Sequence, residues 1–185
     1  MISDLILGSF AVIFFIFLIR KNINWSLFFL FMGISAFVGG FWHGYFDETN
    51  NLLRFFSWFF LTLSLLFPAF ELYKKAKRIL RMSFVFISSV LLFLAIFYCN
   101  FLFMEINAVI IMLGFVLVKS IINSKHNKAY MFIYLGILVS LVSVFFQIKR
   151  YSFSEYLNFN DIGHYITIVS LSVIYLGVSK LLFKS

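Results

Sequence analysis

The sequence predicts an all-α integral membrane bundle of seven transmembrane helices, and three observations carry that expectation. Of the 185 residues, 63% are hydrophobic and only 12% charged, with a mean hydropathy of +1.04. Soluble domains carry roughly 45–50% apolar and about 25% charged residues, and the 29 phenylalanines of this chain exceed what one water-soluble core of its size can bury. Charged residues fall in short groups between apolar runs of spanning length, as a helix needs about 20 apolar residues to cross a hydrocarbon core roughly 30 Å thick. The one cysteine, Cys99, lies in an apolar stretch, which excludes a disulfide framework and a thiolate metal cluster.

The seven runs are taken in order. The first, Leu5 to Ile19, is read as a span and not as a cleaved signal peptide, because Asp4 precedes it and Arg20 and Lys21 follow it. The second runs from Trp25 to Trp42 and the third from Leu52 to Phe70, with Pro68 shaping the far end of the third. From Met82 to Val118 the strongly polar residues are Asn100, Glu105 and Asn107 alone. One helix over that stretch would extend about 55 Å, far more than a bilayer. The chain must therefore turn, at Asn100, giving a fourth span from Met82 to Phe97 and a fifth from Phe103 to Val118. The sixth runs from Tyr130 to Phe146 and the seventh from Asn160 to Phe183. With no repeat, linker or hydrophilic insert, residues 1–185 read as a single transmembrane domain.

Seven spans sort the charges between alternate connections. Twelve of the 15 Lys and Arg fall on one side: Arg20, Lys21, Lys74, Lys75, Lys77, Arg78, Arg81, Lys119, Lys125, Lys128, Lys180 and Lys184. Only Arg54, Lys149 and Arg150 fall on the other. Positive charge in short loops marks the cytoplasmic side, so the N-terminus is expected outside and the C-terminus in the cytoplasm of a plasma (inner) membrane. The net charge of +8 is then an orientation signal. It points to membrane lipids as partners, with anionic phospholipid at the cytoplasmic face around Lys74 to Arg78, and not to nucleic acid.

Acidic residues and histidines gather at the opposite end. Asp4, Asp47, Glu48, Glu105, Glu155 and Asp161 are there, with His43 and His164, while Glu71 and His126 are on the basic side. Ionisable groups at membrane depth are functional candidates by default, since hydrocarbon cannot solvate them. On the second span Ser35, Gly39, His43 and Asp47 recur every four residues and share a helical face, with Gly40 and Gly44 on the adjacent stripe. That face reads either as a small-residue packing seam or as one wall of a pocket. At the start of the seventh span Asn160 or Asp161 serves as the helix cap, and both share a face with His164.

Two imidazoles and a carboxylate form an open zinc ligand set. His43 and His164 are the expected ligands with Asp161, Asp47 or Glu48 as the third, and Ser35 a substrate contact two turns deeper. Such a metal would acidify a bound water and permit hydrolysis of an ester or amide at a lipid headgroup. Without metal, the same outward-facing pocket between the second and seventh helices would bind a polar headgroup or pass a proton through Asp161 and His164. Arg54 either neutralises Asp47 or Glu48 or extends to the interface.

The motifs GGFWHG (Gly39 to Gly44) and NDIGH (Asn160 to His164), on seven spans, resemble a poorly characterised family of small multi-pass bacterial membrane proteins. More remotely the chain is similar to the superfamily of alkaline ceramidases and progestin and adipoQ receptors. That resemblance implies a zinc hydrolase or receptor in which Ser35 and His43 match a Ser and His of the second helix and His164 one of two seventh-helix ligands. Asp161 then stands in for the other, and the third span has no counterpart of that superfamily's Asp.

Overall fold

In apolar surroundings every main-chain N–H and C=O must be paired within its own segment, and a helix does this residue by residue. The computed structural model describes residues 2–45, 51–150, 152–154 and 158–182, and every regular element among them is a helix. In chain order these are α1 (Ile2–Leu18), α2 (Ile23–Tyr45), α3 (Asn51–Leu72), α4 (Arg78–Tyr98), α5 (Leu102–Ser124), α6 (Ala129–Lys149) and α7 (Phe159–Leu182). Six of them, α2 to α7, are long and apolar enough to cross a membrane. The first, α1, has 17 residues and at the standard rise covers about 25 Å, short of a full hydrocarbon core.

Asparagines set several of the helix boundaries. The Asn22 side-chain oxygen accepts the Trp25 N–H at 3.1 Å, Asn100 that of Leu102 at 3.0 Å, and Asn127 that of Ala129 at 3.0 Å. The expected turn at Asn100 is present. It begins one residue earlier, where Cys99 takes the left-handed conformation (φ 50°) and the Asn100 N–H reaches back to the Ala95 carbonyl at 3.0 Å. This is a glycine-type helix ending made with cysteine.

The middle of α5 departs from the expected plain helix. Val109–Leu117 is π-helical, flanked by α-helical Leu102–Ala108 and Val118–Ser124. π-Helix is usually confined to single turns and favours functional positions. The Tyr73 hydroxyl donates to the Phe115 carbonyl inside this segment at 3.4 Å, and burial pushes the Tyr73 phenol up, keeping it a donor.

Consecutive helices run antiparallel, and α1, α2, α3, α5, α6 and α7 follow one another around the bundle, with α7 returning to α1 and α4 packed outside on α3 and α5. The starts of α1, α3, α5 and α7 therefore lie at one end. The other end collects the basic connections α1–α2, α3–α4 and α5–α6, so the charge sorting read from the sequence is a property of the fold. Trp25, Phe28 and Phe29 of α2, Phe84 of α4 and Ile133 and Ile137 of α6 are completely enclosed in one core.

A close backbone approach lies between α6 and α7. A Cβ on Gly136 would stand 2.6 Å from Ile174 Cγ1 and 2.8 Å from the Ser170 carbonyl, and one on Gly177 2.9 Å from the Ala129 carbonyl. Ser170 Oγ donates to the Gly136 carbonyl at 2.8 Å across the same contact. On α2, a Cβ at Gly33 would stand 3.2 Å from the Gly8 carbonyl of α1, while Gly40 is buried and Gly44 exposed. Gly136→Ala should destabilise the protein by about 1–3 kcal/mol through overpacking. Gly114→Ala, with no atom within 4 Å of the new methyl, should be neutral or stabilising. Thermal unfolding in detergent checks the pair.

Candidate functional site: a polar clasp between the first and last helices

The start of α7 is built by its own sequence. Asn158 is the cap: its side-chain oxygen accepts the N–H groups of Asn160 at 2.9 Å and Asp161 at 3.1 Å. This corrects the expectation that Asn160 or Asp161 caps the helix. Asp161, in the third helical position, reaches back to the Asn158 N–H at 3.4 Å, which is capping-box geometry. One carboxylate oxygen thus serves the helix end and the other is left for a different partner.

That partner comes from α1. Ser3 Oγ donates to Asp161 Oδ1 at 2.6 Å and also lies 3.0 Å from His164 Nδ1. On the other edge of the ring, His164 Nε2 is 3.4 Å from Asp4 Oδ1. Ser3 and Asp4 are buried in α1, at 1% and 5% exposure, whereas His164 and Asp161 are partly accessible. With the serine proton directed to Asp161, the Ser3 oxygen is an acceptor, which makes Nδ1 of His164 the protonated nitrogen. If Nε2 donates to Asp4 as well, the ring is a cation held between two acids.

The second helix backs this clasp. A Cβ on Gly39 would lie 3.8 Å from Asp4 Oδ1 and 3.3 Å from Ser57 Oγ, so the glycine leaves room behind the carboxylate. His43, one turn on, is exposed, stands beside the Trp42 ring at 4.3 Å, and acts electrostatically on His164. Ser35 is buried but turned to α3. Its hydroxyl donates to the Ser57 carbonyl at 2.9 Å, and Ser57 Oγ donates to the Ser35 carbonyl at 3.0 Å. Ser35 is therefore a helix-to-helix tie and not a contact of the cluster. Asp47 and Glu48 lie outside the described residues. Arg54 packs among the rings of Trp42, Phe55 and Trp58, with its centre 5.3–5.7 Å from theirs, and bonds to Asn51.

The donor set can be tested against two chemistries. Among the described residues no three His, Cys, Asp or Glu side chains are grouped to hold a metal ion. Ser3, His164 and Asp4 are in the order of a nucleophile, base and orienting acid. Yet Ser3 gives its proton to a third group, Asp161, and is 1% exposed.

A family model matches residues 1–182. The chain belongs to DUF6962, a family of unknown function. No curated protein and no solved structure matches it, and the membership lends no support to the likeness with alkaline ceramidases and receptors.

Membership of DUF6962 covers the whole clasp, from Ser3 to His164. Its α1 half, Ser3 and Asp4, is not linked to His164 by any spacing along the chain. The signal that could have found it is Asp4 itself, an acid with a serine beside it at the head of an otherwise apolar helix. Ser3→Ala removes the two hydroxyl links from α1 to α7 and leaves that of Asp4 to His164; it should cost about 1–2 kcal/mol. Ser179→Ala, whose hydroxyl bonds only back to its own helix at Leu176, should cost little. Unfolding midpoints of the two variants in detergent give the comparison.

Proposed function

We propose that this chain is a non-enzymatic multi-pass membrane protein, in the class of small transporters and headgroup-binding modules, whose working centre is a proton-binding cluster of Asp4, Asp161 and His164. The observation that carries the reading is the placement of two carboxylates around one imidazole, Asp4 at Nε2 and Asp161 one hydroxyl away from Nδ1. Such groups at membrane depth are costly to hold charged without compensation. One imidazole thus stands between two acids, and the charges of the N-terminus and of His43 also reach its ring. Ser3 and Asp4 are buried there, and a proton is the smallest species such a cluster can take up. Each protonation step changes which atoms donate between α1 and α7, coupling pH to the packing of the first helix on the last.

A metal-dependent hydrolase of a lipid or amphiphile is the second reading, and one distance favours it. Ligands of a tetrahedral zinc with bonds of about 2.0–2.1 Å stand about 3.3 Å apart, close to the 3.4 Å between His164 Nε2 and Asp4 Oδ1. Zinc needs a third protein ligand, which the described residues do not bring to that point. Two candidates for that third ligand, Asp47 and Glu48, lie outside the described residues, and the proton-binding reading stands first on the contacts among Asp4, Asp161 and His164. In this scheme the clasp end faces outward and the basic end the cytoplasm of the plasma membrane, as the sorting of Lys and Arg supports.

Unfolding midpoints of wild type and His164→Gln, compared between about pH 5 and about pH 8, test the first reading. Wild type should shift by several degrees and the variant by less than half as much; equal shifts would remove His164 from the mechanism. Zinc analysis of the purified protein is the companion measurement. One zinc per chain, lost in His43→Ala and His164→Ala, would transfer the site to the hydrolase reading. A reporter fused after Ser185 should read cytoplasmic, and a periplasmic reading would invert the topology.

A further inference from the structure

At the basic end of the bundle a groove of about 460 Å³ opens between the start of α2, the end of α3 and the first turns of α4. It is independent of the clasp and of the function proposed for it. Lys74, Arg78 and Arg81 converge on the groove, with the Asn24 amide on its α2 side. Glu71 is the nearby counter-charge. It pairs with Lys74 at 2.8 Å and accepts from Asn24 Nδ2 at 2.9 Å, and among the described residues no acid pairs with Arg78 or Arg81. The Arg81 Nε–H is buried and has no hydrogen-bond partner among the described residues. Both arginines also stand in the opening turn of α4, which has no side-chain cap. Cations at that positive end of a helix are unfavourable until an anion joins them.

The other wall of the groove is apolar. Phe70 lines it with Met82 and Val85, and the exposed face of α4 continues beyond them through Phe86, 71% exposed, and Phe93, 64% exposed. The arrangement is a forked pair of guanidinium groups at one end of a greasy track that runs along a membrane-length helix. Free phosphate would use the arginines and leave the track bare. We propose that this groove is a binding site for one anionic phospholipid, its phosphate held by Arg78 and Arg81 with Lys74 alongside, and its acyl chain laid over Met82, Val85 and Phe86.

Native mass spectrometry of the detergent-purified protein, titrated with phosphatidylglycerol or phosphatidylcholine, tests the site. One phosphatidylglycerol per chain should bind about 30-fold more tightly than phosphatidylcholine, and Arg78→Gln/Arg81→Gln should abolish that preference. Lys125→Gln/Lys128→Gln, which removes the same charge from the neighbouring α5–α6 connection, should keep it. Equal retention of the two lipids overturns the proposal, as does an undiminished preference in the arginine variant. Displacement of bound lipid by millimolar inorganic phosphate would show a free-anion site and overturn it too. Should the double variant fail to fold, Val85→Trp, which blocks the track and keeps every charge, must weaken phosphatidylglycerol binding for the proposal to stand.

Discussion

Closure of this bundle depends on the polar clasp at the head of α1. That helix is the shortest of the seven and carries two buried polar side chains in its first turn, Ser3 and Asp4. Exposed to hydrocarbon they would go unsolvated; docked against α7 they meet Asp161 and His164. The cost of leaving those groups unpaired is larger than the net value of the bonds themselves, and this asymmetry selects the position of α1. Further along, Phe14 stacks on Tyr175 with ring centres 4.5 Å apart, so the contact made at the head continues as ordinary packing along both helices. A cluster that holds the first and last helices together is also well placed to report on its own protonation.

Elsewhere the helices are joined by small residues and hydroxyl groups, as expected where lipid is as apolar as the side chains it would replace. Ser35 and Ser57 exchange bonds between α2 and α3, Ser88 donates to Asn107 between α4 and α5 at 2.8 Å, and Ser143 and Ser170 bond to glycine carbonyls across α6 and α7. These are local ties between neighbouring helices. The chemistry is therefore divided between the two ends, acid and imidazole at one, guanidinium and ammonium at the other.

The reading of the seven helices succeeded where one physical quantity dominates. Apolar runs of spanning length, bounded by charge, gave the order of the elements and the reversal at Asn100, because a longer helix would overrun the bilayer. Pairing His164 with Asp161 also followed from spacing within one helix. The assignment of the α7 cap missed by two residues, since Asn158, Asn160 and Asp161 are all capable and only their geometry separates them. The π-helical stretch of α5 had no signal in Val109–Leu117, which is apolar throughout apart from Gly114.

What the sequence by itself determined is an all-helical membrane protein with its charges sorted to two ends, properties set by hydropathy and by periodicity within a helix. The tertiary structure decided which helices meet. It brought the first helix onto the start of the seventh, turned Ser35 toward Ser57, and placed Ser3 and Asp4 beside His164. Residues separated by some 160 positions carry no mark of their meeting. That contact arises from the order of helices around the bundle, which is fixed by close packing at sites such as Gly136 and by the need to pair each buried polar group, and neither is expressed in the spacing of residues along one chain.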